Sequence, residues 1–376
     1  MNGVFAEPLR PAYSRVVLFR GQSGFTVEDV LAFSWFLGEL KAPWRELLGA
    51  LACQERAGEL ELEADEEALN SMSEEFRYER ELLTVEEIEG WLAARDLTEE
   101  DFNDHVVRNY WKKNPPEAEE SDEEDEDEKE RGEDEEEDYI CASPELRELL
   151  RVDLYFSGTF DRLARAASWR LVLPEEGETN TELLESEREK FFERTGLEQA
   201  SLPQALKELG RDQKWLEECL RKEVLYRQVC DTLLTDEARA RTLTAQRLLL
   251  TRLKIEMLTL RSKDAAQEAM LCLKEKLLSK DELAKECRTS WEPQEFFLGD
   301  CEPSVQQEFL SAAPGEVLAP KPYEESFVLS RIEAKIEPKL DDAQIRARID
   351  RRLLRAHFSE LTSKSIHWVL GDSMPR

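Results

Sequence analysis

The chain has 376 residues, 41% of them hydrophobic, and a formal net charge of −33. That length predicts two or three domains with sizeable cores, and the charge excludes nucleic acid as an easy partner because phosphates would be repelled. No segment approaches the length of a membrane span, so no membrane association is expected.

Ser14 to Arg20 reads as a strand or arm that ends in a Gly-Gln-Ser-Gly turn. Its apolar run, Val16 to Phe19, is far shorter than a secretory h-region, so no signal peptide is visible. Thr26 caps a helix with Val30, Phe33, Phe36, Leu37 and Leu40 on one face. Pro43 opens a second helix and Asp65–Leu83 forms a third. Thr84 begins a capping-box signature for a fourth, and Thr98 caps a fifth that carries Phe102, Val106 and Trp111. Residues 1–113 are therefore expected to be a helical block.

Between Glu117 and Asp138 stand 17 acidic residues against Lys129 and Arg131, a local charge of −15. Self-repulsion without apolar residues predicts an acidic disordered linker over 114–140. Helical periodicity resumes at Ser143-Pro144 and defines a second block over 141–252, with a loop at Pro174–Asn180 and a long helix from Asp212 to Leu234. Leu253–Leu260 alternates as a strand, Ser262–Cys287 is helical, and an irregular piece carries Trp291, Pro293 and Gly299-Asp300. A short helix, Pro303–Ala312, leads through Gly315 to a strand at Ser326–Ile332. Over 341–376 a last helix aligns Ile345, Ile349, Leu353, Phe358 and Leu361. It is expected to pack on the N-terminal block, with Ile366–Leu370 as an extended anchor.

The order strand, helix, loop, helix, Gly-Pro turn, strand over 253–340 resembles the parvulin-type peptidyl-prolyl isomerase domain of the PpiC/SurA kind. The matching words are a helix with Val305 and Phe309 four residues apart, then Gly315-Glu316-Val317, Pro320, and a strand that runs to Lys335 and Pro338. The resemblance implies a mainly α chain, a SurA-like helical chaperone body with a small α+β domain. It also implies a proline pocket that Met257, Val305, Phe309, Phe327 and Val328 would line. Active parvulins carry a histidine in the first strand and another in the last. Here the words are Glu256-Met257-Leu258 and Phe327-Val328. Glu256 is then the sole candidate acid–base group, and the outward face of a strand is the plainer place for it.

His105, His357 and His367 have no partner at metal-ligand spacing, and no phosphate or dinucleotide loop is present, so no metal and no cofactor are expected. Seven cysteines, an odd number with no Cys-x-x-Cys, fit a reducing compartment and a cytoplasmic relative of the exported SurA-like chaperones. Three functions follow. The first is a chaperone-like accessory protein that holds an extended peptide, proline-containing or a precursor on its way to modifying enzymes in peptide maturation. The second is a peptidyl-prolyl isomerase that tolerates the lost histidines. The third is an acidic scaffold that recruits a basic partner. The sequence leaves the client and the oligomeric state open.

Overall fold

A computed structural model describes residues 10–116, 139–174, 180–323 and 326–369. The acidic tract Glu117–Asp138, residues 175–179 of the expected loop and Leu370 of the expected anchor lie outside the described residues. The chain forms two units, Met1–Val229 with Phe358–Arg376, and Cys230–His357.

The first unit is built mainly of helices: α1 (Arg10–Tyr13), α2 (Val27–Phe36), α3 (Lys41–Glu59), α4 (Glu66–Glu79), α5 (Val85–Ala93), α6 (Glu99–Lys113), α7 (Pro144–Phe156), α8 (Thr159–Leu171), α9 (Thr181–Thr195), α10 (Leu202–Glu208) and most of α11 (Gln213–Leu233). Thr84 closes the expected capping box with Glu87, and the caps at Thr26 and Thr98 are boxes too, closed by Asp29 and Asp101. One core runs through helices from both sides of the acidic tract. In it Phe36 stacks on Phe191 at 5.4 Å, and Phe156 packs on Phe76, Trp91 and Phe102. His105 is a core residue stacked on Phe156, and its Nδ1 bonds Asp153 Oδ1 at 2.8 Å.

A small antiparallel sheet completes this unit. β1 (Val16–Arg20) pairs with β2 (Ser23–Thr26) through a tight hairpin, and its other edge pairs with β7 (Ile366–Trp368). The anchor expected near Ile366 is thus a strand. β2 is an addition to the expected elements, because the Gly21-to-Gly24 words read as the end of an arm.

The second unit holds α12 (Asp236–Gln246), β3 (Arg252–Leu260), α13 (Lys263–Lys274), α14 (Lys280–Cys287), β4 (Glu292–Phe297), α15 (Pro303–Ser311), β5 (Lys321–Tyr323), β6 (Ser326–Ile336) and the first part of α16 (Ala343–Ser365). Its four strands are antiparallel in the order β4-β3-β6-β5. The alternation of β3 buries Leu258 and Leu260 under α13 and α14, with Ala266, Ala269, Leu283 and Leu329. Leu253 and Ile255 are buried on the opposite face under α15, with Phe309 and Ile332. The helical run expected over Ser262–Cys287 breaks at Lys276, whose φ is 58°.

The expectation that Ala343–Leu361 packs on the N-terminal helices is corrected for its first half. Ile345, Ile349 and Leu353 pack on Leu243, Leu250, Phe297 and Leu340 within the second unit, where those side chains leave an apolar strip. Phe358 belongs to the first unit and stacks on Trp169 at 5.1 Å.

Candidate functional site

β3 and β6 position the expected site residues, and cross-strand register decides which of them meet. Met257 pairs with Ser330, Thr259 with Val328, and Ile255 with Ile332. Directly opposed residues project to the same side of a sheet, and neighbours along a strand to opposite sides. Met257, Thr259, Val328 and Ser330 therefore share the face that α15 covers at its other end. Val305 and Met257 are half-buried there against the cluster of Leu253, Phe309 and Ile332.

Phe309 is 7% exposed and meets Phe296 edge-on at a centroid distance of 5.6 Å. It fills the space under α15. Val328 is 5% exposed. The open part of the face is formed by Met257, Ser330 and Thr259, with exposed Glu292 opposite Met257 and exposed Gln294 opposite Ile255 on β4.

Two expected site residues fall elsewhere. Phe327 pairs with Leu260 and packs into the cluster under α13 and α14, on the opposite face. Glu256 also points to that opposite face, where its carboxylate accepts from Lys280 Nζ and, at 2.9 Å, from Arg331 Nη1. Partial burial pushes this carboxyl up, but the hydrogen bonds and charge of Lys280 and Arg331 outweigh burial and hold it below the usual carboxylate range. Glu256 is thus an ionised anchor between β3, β6 and α14, and it is turned away from the face that carries Met257. Of the five residues expected to line one pocket, Met257, Val305 and Val328 share a face with the packed ring of Phe309, and Phe327 lies on the other.

The Gly315-Glu316-Val317 word has a local task. Gly315 has a φ of 88°, a left-handed conformation that side chains resist. From there the chain runs beside β6: Gly315 N donates to Ile332 O at 2.7 Å, Ile332 N to Glu316 O at 3.0 Å, and Leu318 N to Ser330 O at 2.9 Å. The end of α15 is thereby fixed to the sheet, together with a bond from Lys335 Nζ to Leu310 O at 2.9 Å.

Ser330, Thr259 and Gln294 were missing from the expected site. The period of two along β6 places Ser330 beside Val328, and that signal was available in the sequence. Gln294 was hidden because Pro293 made its segment read as irregular. None of the three histidines, at 105, 357 and 367, is a residue of the four strands of this sheet. What the face offers is a half-buried thioether and a valine flanked by a hydroxyl pair, the Gln294 amide and the Glu292 carboxylate. Such a surface holds an apolar side chain and the polar backbone on either side of it.

No protein-family model matches the sequence, and no curated protein is similar to it. Solved structures similar to the chain include a peptidylprolyl isomerase, PrsA, from Bacillus anthracis, at 13% identity and a TM-score of 0.31 over 54% of this chain and 96% of that one. PrsA from Bacillus subtilis is 16% identical with a TM-score of 0.20, over 58% of this chain and 86% of that one. A SurA-like chaperone from Campylobacter jejuni is 8% identical with a TM-score of 0.19, over 57% of this chain and 88% of that one. Superpositions this partial leave the fold and the site of this chain to stand on its own residues.

Proposed function

We propose that the chain is a chaperone-like protein that holds an extended peptide on the open sheet face beside α15. The observation that carries this reading is the grouping of half-buried Met257 and Val305 with Ser330 and Thr259 on one face, while the ionised Glu256 is turned to the other. A holder needs only ground-state contacts. A proline isomerase must favour the twisted amide over the planar one, against a barrier of about 20 kcal/mol. Apolar and hydroxyl groups bind both forms alike. The client is a proline-containing or precursor segment, carried to modifying enzymes in a reducing, cytoplasmic setting. Free thiols at Cys53, Cys141, Cys219, Cys272, Cys287 and Cys301 suit that compartment.

The test is an NMR titration of the full chain with a proline-containing peptide. Shifts are expected at Met257, Thr259, Ser330 and Val305. Met257→Ala should weaken binding by about 1–2 kcal/mol, the loss typical of one anchoring side chain, with the melting temperature nearly unchanged. Line shapes of the peptide report cis–trans exchange in the same samples. Strong acceleration by the wild type that Met257→Ala abolishes would replace the holder by an isomerase.

A further inference from the structure

Five arginines fall within ten residues of α16, Arg346, Arg348, Arg351, Arg352 and Arg355, in a chain of net charge −33. Positions 348, 351, 352 and 355 have the spacing of one helix face. Those four, with Leu249, Gln246 and the Gly299-Asp300 turn, line a concavity of about 270 Å³ inside the second unit. Position 346 lies off that stripe.

The groove is held rigid. Arg239 grips Asp350 through Nε at 2.7 Å and Nη2 at 3.0 Å, which fixes α12 against α16. Arg348 grips Asp300 with two bonds of 2.8 Å, and its guanidinium lies 3.9 Å from the centre of the Phe297 ring. Position 299 admits only glycine at this packing, because a Cβ there would stand 2.9 Å from Leu249 O. Arg351, Arg352 and Arg355 are exposed and have no acidic partner among the described residues. Among the described residues no carboxylate neutralises these three charges.

We propose that this groove docks an extended, acid-rich segment of a partner polypeptide. Three guanidiniums within about one and a half helical turns match the spacing of successive carboxylates on an extended chain, roughly 7 Å for every second residue. Guanidinium forks favour carboxylates in two-pronged pairs. Leu249, 38% exposed at the rim, offers the occupant an apolar contact. A single-stranded nucleic acid would need aromatic platforms for its bases, and the lining has none.

The test uses the full chain and a fluorescein-labelled peptide of repeated Glu-Glu-Leu, read by anisotropy at low salt. Saturable binding is expected, and added salt should weaken it. The double variant Arg351→Glu, Arg355→Glu should bind about tenfold more weakly or worse, the effect of losing one strong ionic contact. A control of equal charge change in the same unit, Arg261→Glu with Lys263→Glu, should stay within about twofold of wild type, because both follow β3 at the end away from Phe297 and α16, and screening confines charge effects to about 10 Å. Absence of wild-type binding, equal losses in the two double variants, or tighter binding of a single-stranded oligonucleotide of the same length would overturn the proposal. Self-association of the chain without peptide, abolished by the first double variant, would assign the groove to a second copy and overturn it too.

Discussion

Glu256 shows what a charged residue in an apolar strand can do. Two cations from neighbouring elements converge on its carboxylate. Glu256→Gln removes the charge and keeps the shape, and should cost about 1 kcal/mol. The pH sign follows from a folded carboxyl that titrates below its unfolded value. The contribution is present at neutral pH and is lost as pH falls through the folded value. Urea unfolding of wild type and variant should therefore differ at pH 7 and converge in acid. A difference that survives strong acid would mean that packing, and no charge, is involved. Phe309 illustrates the opposite case. Its ring is enclosed by Phe296, Ile255 and Ile332 in one cluster, so Phe309→Ala should destabilise the second unit by about 3–5 kcal/mol. Loss of the β3 and β6 amide signals at a lower urea concentration is the expected readout. An unchanged midpoint would show that the ring borders an empty slot.

At the scale of elements, the helices were legible where caps and periodicity agreed, as at Thr26, Thr84 and Thr98. β3 and β6 were legible from alternation. β4 was not, because Pro293 argued against a strand. The structure resolves the conflict by placing β4 at the edge of the sheet, where a missing N–H costs no ladder bond. The break at Lys276 had no signal, since a lysine with φ of 58° carries no glycine or proline to mark it. Phe327 and Val328 are neighbours in a strand and cannot face one slot together. Register, set by a bulge between Lys254 and Ile255, was beyond reach from the sequence alone. The turn at Gly315 joins these elements. Gly315→Ala should cost about 1–2 kcal/mol through the left-handed φ, and it should loosen α15 from β6. Faster hydrogen exchange at the Ile332 and Leu318 amides, with those of β1 unaffected, would register that.

For the whole molecule, the largest charge effect lies in the tract Glu117–Asp138. Deleting it takes the net charge from −33 to −18, since the tract carries −15. Less self-repulsion should leave the melting temperature equal or higher. The cut must stop at Asp138. Tyr139 and Ile140 are 5% and 2% exposed, and Tyr139 meets Trp44 edge-on at 5.9 Å. A deletion that removes those two as well should lower the melting temperature, and a drop already present in the shorter deletion would show that the acids are docked on the body.

The pairing of β1 with β7 has a consequence in time. Leu18 sits opposite Trp368 and Arg20 opposite Ile366, so the first strand of the first unit waits for almost the entire chain to be made. At about 5–20 residues per second, a ribosome takes roughly 20–70 s to cover that interval. Throughout it, one edge of the β1–β2 hairpin has no strand to complete it, while the second unit, Cys230–His357, is synthesised without interruption and can close first. The last step in the maturation of the nascent chain is thus the closing of β7 on the open edge of β1.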